Sequence, residues 1–135
     1  MLYFAYGSNL NHFQMKRRCQ DSIFLKKINL KNFQLTFRSK YRAADIEKKK
    51  GSSVPGALFE ISKRDEKRLD IYEDYPILYK KFYFSYYKKK VMTYVMVKKT
   101  KFCYPKIKYL NTIKQGYKDC NLKKSFLKKA LREKK

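Results

Sequence analysis

The sequence predicts an α+β domain, in which strands joined by turns form a sheet and helices lie around it. Three observations favour this class. Short apolar or alternating segments typical of strands recur along the chain, amphipathic segments typical of helices separate and follow them, and the length of 135 residues fits one domain. We find no internal repeat and no linker, so residues 1–135 are expected to form a single domain.

The first half of the chain begins with a buried strand. Residues 2–5 are apolar and lead into Gly7, after which Ser8 or Asn9 is expected to cap a helix that closes near Cys19. Three further elements are predicted before the middle of the chain: an alternating strand over 28–37, an exposed turn over 48–53 and a buried strand over 57–61.

The second half alternates in the same way. The predicted elements are a short helix over 63–72, a strand containing Phe82, Phe84 and Tyr86, a turn at 88–90, a strand over 91–97, an amphipathic helix from Ile107 that stops at Gly116, and a last helix from Leu122 to Leu131. Residues 123–135 carry seven basic side chains and one acid, so this basic C-terminal helix is expected to fray.

The net charge of +24, from 35 Lys and Arg against 11 Asp and Glu, makes anions the natural partners. Only seven of the basic residues are Arg, and the Lys residues are spread through every segment. No known nucleic-acid-binding pattern accompanies the charge. We therefore expect at most nonspecific binding of nucleic acid, with a lysine content that reflects AT-rich codons.

Other classes of protein are disfavoured by what the sequence lacks. No apolar run approaches the roughly 20 residues of a membrane span, and residues 1–10 make a poor signal peptide. Three cysteines without a CxxC spacing, together with the single histidine His12, suggest neither a disulfide framework nor a metal site. A reduced, cytoplasmic enzyme or binding domain is therefore expected. His12 and Cys19 share a helical face, which permits a Cys–His dyad, although a core cysteine is the favoured interpretation.

The segment from Tyr6 through Gly7, Ser8 and Asn9 to Leu10 is the first candidate site. A strand that ends in glycine and turns into a helix allows a ligand to approach the backbone closely and presents unpaired N–H groups. Such a turn can bind a carboxylate or stabilise an oxyanion. Helix capping alone is the alternative reading of the same residues.

Glu73 is the second candidate. Carboxylates are scarce, yet six of the eleven fall within residues 60–74, and Glu73 stands among Tyr72, Tyr75, Pro76 and Tyr79. Burial among aromatic rings raises the pKa of a carboxyl group toward neutrality, which suits a general acid/base. The alternative is an ordinary surface glutamate on a solvated helix with i,i+4 pairs.

Together the two segments resemble the γ-glutamylcyclotransferase family, in particular its small bacterial AIG2-like members. That family pairs a YGSNL-type loop, here residues 6–10, with a catalytic glutamate in a segment like residues 69–79. Further ordered matches follow at residues 43–46, 54–61, 94–96 and 109–119, so the resemblance covers nearly the whole chain. Asp74 and Asn121 depart from it, because the family usually has glycine at both positions.

The resemblance implies a mixed β-barrel or sheet with peripheral helices, and cyclisation of a γ-glutamyl amide or peptide to 5-oxoproline with release of an amine or amino acid. Glu73 would be the general acid/base, the backbone of residues 7–10 would bind the oxyanion or α-carboxylate, and Tyr6 and Tyr79 would wall the pocket. Neither metal nor cofactor is implied. Asp74 would add a like charge beside Glu73.

The sequence leaves several alternatives open. The chain could instead be a non-enzymatic basic domain of the same fold that binds nucleic acid or another anion. The leaving group is undetermined among free amino acids, ε-lysine, glutathione and an antibiotic side chain, with glutathione least favoured. The protein is expected to be a monomer or a homodimer.

Overall fold

The computed structural model describes residues 1–132 and confirms the α+β class. The elements in chain order are β1 (Leu2–Ala5), a 3-10 turn (Ser8–Leu10), α1 (His12–Arg18), β2 (Ile23–Arg38), β3 (Ala43–Glu60), α2 (Lys63–Tyr72), β4 (Tyr79–Tyr86), β5 (Lys89–Met96), α3 (Ile107–Asp119) and α4 (Lys124–Arg132). The expected fraying of the last helix falls partly on residues 133–135, which lie outside the described residues.

The strands form one mixed sheet of five, in the order β2-β3-β1-β5-β4. The short strand β1 lies at its centre, antiparallel to β3 and parallel to β5, so that Tyr3 pairs with Phe59 on one side and Met92 on the other. Since a central strand is held along both edges, the end of β1 is a firmly fixed point. The chain leaves the sheet there and enters Gly7.

The predicted exposed turn at 48–53 is wrong as a turn, although these residues are largely exposed. The strands β2 and β3 form one long hairpin whose reversal lies between Ser39 and Arg42, where the Arg42 N–H donates to the Ser39 carbonyl oxygen at 3.0 Å. Residues 49–52 instead bulge within β3, between the pairs Phe33–Lys48 and Lys31–Ser53 and opposite Asn32, whose side-chain oxygen accepts from the Gly51 N–H at 3.1 Å. Polar residues of a bulge resemble those of a turn in sequence.

The first helix starts later than predicted. Ser8 and Asn9 belong to the 3-10 turn, and Asn11 caps α1 by accepting the Gln14 N–H at 3.0 Å. The second helix matches the predicted bounds of 63–72, and its Ser62 and Asp65 form a capping box.

Gly116 does not end α3, which continues to Asp119. A Cβ atom at Gly116 would lie 2.6 Å from the backbone of Leu10 and Asn11, so glycine is needed there because α3 packs directly on the segment that follows β1. Gly56 on β3 is equally confined, because a Cβ atom there would clash with the Phe4 ring and the Ala5 carbonyl oxygen. Both glycines bring neighbouring elements close to the end of β1.

The core lies between the sheet and the helices. Its largest fully buried side chains come from every layer and include Phe4, Leu10, Phe37, Tyr94 and Tyr117. None of the described helices has the length and apolar character that crossing a membrane requires.

Candidate functional site

The end of β1 opens on a narrow cavity of about 30 Å³. Six of the predicted site residues line it: Tyr6, Gly7, Ser8, Asn9, Glu73 and Tyr79. They come from segments some 65 residues apart in sequence, and the sheet brings them together because β1 runs in its centre and only β5 separates it from β4, the strand that begins with Tyr79. The two motifs therefore face each other across one space.

Leu10 is the exception among the predicted residues. Its side chain is fully buried in the core, and its N–H donates to the Gly7 carbonyl oxygen at 3.0 Å within the 3-10 turn. This N–H already has an acceptor, so Leu10 shapes the loop from behind and is removed from the expected substrate contacts.

Gly7 sits where a side chain would be crowded. A Cβ atom there would lie 3.2 Å from the Ala44 Cβ and 3.6 Å from the Tyr109 hydroxyl. Any larger residue would therefore fill the cavity from its floor and push against Ala44 on β3. The absence of a side chain keeps the backbone of the loop accessible.

Glu73 follows the last residue of α2, and its N–H donates to the Leu69 carbonyl oxygen at 2.8 Å. Its carboxylate makes no ion pair or hydrogen bond with any residue in 1–132. Burial raises its pKa from 4.5 to about 7, and the positive charge of Arg18 opposes that rise. Asp74 contributes nothing to the shift, so the expectation that its charge acts on Glu73 is not fulfilled.

Three of the other five carboxylates of the acidic segment, Asp65, Glu66 and Asp70, are engaged elsewhere. Asp65 closes the capping box of α2, and Glu66 and Asp70 both bind the Lys81 ammonium, at 2.8 and 3.1 Å. Asp70 also accepts the Tyr94 hydroxyl proton at 2.6 Å. The clustering of acids thus has a largely structural cause. Glu73 differs from these three, because it faces the cavity and its carboxylate has no ion pair or hydrogen bond with residues 1–132.

Tyr6 and Tyr79 form fixed walls. The Tyr6 hydroxyl donates to the Tyr94 carbonyl oxygen at 2.6 Å, and the Tyr79 hydroxyl donates to the Ala44 carbonyl oxygen at 2.7 Å. Both hydroxyl protons are therefore occupied by backbone acceptors, and the two rings are oriented by them.

Three further tyrosines line the cavity, Tyr3, Tyr94 and Tyr109, and none of them was predicted as a site residue. The Tyr3 oxygen accepts from the Asn9 side-chain amide at 3.0 Å, and the Tyr109 oxygen accepts from the Ala44 N–H at 3.0 Å. As acceptors, these hydroxyls retain their own protons for donation. Burial raises both pKa values well above the usual range, so both groups stay protonated. Tyr109 begins a segment that resembles the family, residues 109–119, but only the docking of α3 brings its hydroxyl to the cavity.

Arg18, at the end of α1, was also missed. One of its terminal nitrogens donates to the Ser8 hydroxyl at 3.1 Å and to the Asn9 side-chain oxygen at 2.6 Å, and its guanidinium lies 3.2 Å above the Tyr72 ring. The Ser8 oxygen therefore faces a cation and no base, which argues against Ser8 as a nucleophile. Asn9 is held from both sides, by Arg18 and Tyr3.

The two positions where the family usually has glycine adopt left-handed backbone conformations. Asp74 has φ 53° and Asn121 has φ 56°. Asp and Asn are among the residues that tolerate this region best, whereas glycine adopts it freely. Asp74 and Asn121 therefore adopt a backbone conformation that suits glycine, at a higher conformational free energy than glycine would have.

The structure bears out the favoured interpretation of Cys19 as a core cysteine over a dyad with His12. The Cys19 thiol lies 3.7 Å from the Asp65 carbonyl oxygen in the core, and His12 meets Cys120 instead, with 3.4 Å between its Nε2 and the sulfur. Burial raises the pKa of both cysteines to about 12, so both remain thiols. Within residues 1–132, no group of three or more His, Cys, Asp or Glu side chains is arranged to hold a metal ion.

A larger groove of about 850 Å³ lies between α3 and α4, remote from both motifs. Its rim is basic, with Lys114, Lys118, Lys124 and Lys128, and its apolar side includes Leu127. No carboxylate or tyrosine of the cavity takes part in it. Size alone favours this groove, whereas the converging polar groups favour the cavity at Glu73.

Comparisons with known proteins point to the same region of the chain. A family model described as gamma-glutamyl cyclotransferase, AIG2-like, matches residues 3–116, which include both motifs. A search of curated protein sequences finds no significant match.

Solved structures with a similar fold include one named gamma-glutamyl cyclotransferase, at 24% identity and a TM-score of 0.78, covering 96% of this chain and 85% of that one. An uncharacterized protein from Homo sapiens, at 24% identity and a TM-score of 0.77, is covered to the same extents. YkqA from Bacillus subtilis, at 22% identity and a TM-score of 0.79, matches over 98% of this chain, which spans about half of its length, 53%. At these identities the structures show the shared fold.

Proposed function

Because this chain belongs to the gamma-glutamyl cyclotransferase, AIG2-like family, we propose that it cyclises a γ-glutamyl amide or peptide to 5-oxoproline and releases an amine or amino acid. One observation carries the proposal. Glu73 is partly buried, its carboxylate has no ion pair or hydrogen bond with residues 1–132, and its pKa is raised to about 7. It shares a cavity with the backbone of Gly7, Ser8 and Asn9.

In the proposed reaction, the α-amine of the γ-glutamyl group attacks its own γ-carbonyl carbon. A C–N bond forms and closes the five-membered lactam, and the C–N bond to the leaving nitrogen breaks. The proton lost by the attacking amine passes to Glu73 and then to the leaving nitrogen, so atoms and charge balance without an oxidant or reductant. Since nucleophile and electrophile belong to one molecule, the protein needs mainly to hold the substrate in a folded conformation.

The pKa of Glu73 suits this transfer. A carboxyl group with a pKa of about 7 is half ionised at neutral pH, so it can accept a proton from the amine and return one to the leaving group. A solvent-exposed glutamate would be fully ionised at that pH and would hold the proton too weakly to return it.

The remaining groups position the substrate. N–H groups of Gly7, Ser8 and Asn9 bind the γ-carbonyl oxygen or the α-carboxylate, and the free O–H groups of Tyr3 and Tyr109 provide further donors for developing negative charge. Tyr6 and Tyr79 act as walls, since their own hydroxyl protons are engaged.

The test is a direct assay for 5-oxoproline by mass spectrometry, with several γ-glutamyl amino acids and γ-glutamyl-ε-lysine as substrates. We expect product from at least one of them with the unaltered protein, and a rate about 10²- to 10⁴-fold lower with Glu73→Gln. Glu60→Gln, an equal change at an exposed carboxylate outside the cavity, is the matched control. Absence of product from every substrate would overturn the proposal.

A second candidate, the basic domain that binds an anionic partner, is supported by the lysine-rich groove between α3 and α4. It predicts binding of DNA or RNA that persists at physiological salt. Binding that vanishes there would be only the nonspecific release of counterions and would exclude this candidate.

We further propose that the protein is cytoplasmic, consistent with the free cysteines Cys19, Cys103 and Cys120, and that it is a monomer or homodimer. Cell fractionation tests the location, and light scattering tests the oligomeric state.

A further inference from the structure

Arg18 retains an unused side of its guanidinium beside the cavity. One terminal nitrogen donates both its hydrogen bonds, to Ser8 and Asn9, while the other terminal nitrogen and Nε have no acceptor among residues 1–132. No carboxylate of these residues lies within 4.0 Å of it. The Nε side of a guanidinium is the edge that matches the two oxygens of a carboxylate.

Contact with Tyr72 restrains the guanidinium of Arg18. The guanidinium carbon lies 3.2 Å from the centroid of the ring, and the hydrogen bonds to Ser8 and Asn9 also hold the group. A cation oriented in this way loses little further freedom when a carboxylate binds.

A hollow of about 260 Å³ is lined by Arg18 together with Arg68, Ile71 and Tyr72. Arg68 uses its Nε–H for the Arg18 carbonyl oxygen, at 2.6 Å, and makes no ion pair among the described residues. Ile71 is 82% exposed and Tyr72 45% exposed, so the hollow offers two cations and an apolar surface to solvent. It adjoins the cavity, because Tyr72 precedes Glu73 and Arg18 binds Ser8.

The dimensions of a γ-glutamyl amino acid suit this arrangement. The carboxylate carbon of the leaving amino acid lies three bonds beyond the scissile carbonyl carbon, a separation of about 4 Å at most. A substrate whose γ-carbonyl faces the loop at residues 7–9 therefore carries its second carboxylate only a short distance from the cavity. A simple amine as leaving group has no such charge.

We propose that Arg18 and Arg68 bind the carboxylate of the leaving amino acid, so that the protein prefers γ-glutamyl α-amino acids to γ-glutamyl amines. Ile71 and Tyr72 then contact the side chain of that amino acid. This inference rests on the proposed function and adds a substrate class to it. The glutamyl α-carboxylate is the other anion within the same substrate, and the experiment separates the two.

The test compares γ-glutamyl-alanine with γ-glutamyl-alaninamide, which differ only in the second carboxylate. The unaltered protein is expected to favour the carboxylate substrate by roughly 10- to 100-fold in kcat/KM, mostly through KM, as hydrogen bonds to a charged group imply. Arg68→Gln is expected to lower this preference several-fold, and Arg18→Gln to abolish it. Arg17→Gln, an equal loss of charge at the neighbouring exposed residue, is expected to leave it unchanged.

The preference is a ratio measured on one protein sample, so partial loss of folded protein in the Arg18 variant cancels from it. Equal rates on both substrates with the unaltered protein would overturn the inference while the proposed function stands. An equal loss on both substrates in the two variants would assign Arg18 and Arg68 to the glutamyl α-carboxylate and overturn it as well. Absence of 5-oxoproline from both substrates, while another γ-glutamyl substrate is turned over, would overturn this inference alone. Absence of 5-oxoproline from every γ-glutamyl substrate would overturn the proposed function and this inference with it.

Discussion

Two arginines of this chain lie in opposite electrostatic environments. Arg38, at the end of β2, is buried, forms ion pairs with Asp45 and Glu47, and donates to the Thr100 carbonyl oxygen at 3.1 Å. Arg18, at the end of α1, is half-buried and binds only neutral oxygens of the loop that follows β1. The chain has eleven carboxylates and places two of them on Arg38. A half-buried cation left without one, beside a loop of open backbone, marks a place for a ligand.

The same contrast separates two carboxylates. Asp45 is fully buried and receives hydrogen bonds from the Met96 N–H and the Lys99 ammonium, both at 2.9 Å, besides its pair with Arg38. Glu73 has no such partner, and burial raises its pKa to about 7. The paired charges of Arg38, Asp45 and Glu47 hold β2, β3 and β5 together. Glu73 and Arg18, which form no ion pair among residues 1–132, line or adjoin the cavity.

The largest expected effect concerns activity. Glu73→Gln keeps the size of the side chain and removes its ability to accept a proton, so kcat for 5-oxoproline formation should fall by about 10²- to 10⁴-fold. Steady-state kinetics measures this. The control Glu60→Gln should retain full activity, and a similar kcat in both variants would show that Glu73 moves no proton.

The next effect is on stability and tests the contrast between the arginines. Arg38→Met leaves Asp45 buried with only Lys99 as counter-charge, and should lower the free energy of unfolding by about 3 kcal/mol. Arg18→Met should lower it by only about 1 kcal/mol, because two hydrogen bonds to neutral groups are lost at a half-exposed position. Urea denaturation compares them. Equal losses would make Arg18 an architectural residue like Arg38.

A smaller effect links Glu73 to the pH dependence of stability. Its pKa is higher in the folded protein, about 7, than the 4.5 of a free carboxyl, so the folded state holds this proton more tightly. The resulting stability is present below pH 4.5 and is lost as pH rises to about 7. Glu73→Gln should therefore melt near the unaltered protein at pH 4.5 and roughly 5 to 10 °C above it at pH 8, because the shift in pKa amounts to about 3 kcal/mol at most. A constant difference across this range would contradict the raised pKa.

The smallest effect is at Asp74. Its φ of 53° is a conformation that glycine adopts without penalty, so Asp74→Gly should stabilise the protein, by about 1 kcal/mol or less. Since the charge of Asp74 does not act on Glu73, the variant should leave the pH dependence of kcat/KM unchanged. A shift of that profile would show that the two carboxylates interact after all.

The sequence was sufficient for elements whose signals are local. The bounds of α2 follow from the Ser62 cap and the spacing of Leu69 and Tyr72, and β1 follows from an apolar run that ends at Gly7. The bulge in β3 was misread as a turn, because its pairing with Asn32 depends on the register of a strand some 20 residues away. Local composition contains no information about that register.

The site divides in the same way. Its two motifs are contiguous in sequence and could be recognised there, whereas Tyr109 and Arg18 take part through contacts that span more than 50 residues. Gly116 was misread for this reason too, since the backbone of Leu10 that requires it comes from the other end of the chain. Residues that support a site from distant elements become visible only in the folded structure.

The pH dependence of 5-oxoproline formation tests the central role of Glu73 most directly. The ionised carboxylate is the form that accepts the proton, so kcat/KM with γ-glutamyl-alanine should rise tenfold per pH unit below an apparent pKa of about 7 and level off above it. The residual activity of Glu73→Gln should lack this acidic limb. An acidic limb with the same midpoint in Glu73→Gln would assign the titrating group to another residue and contradict the account.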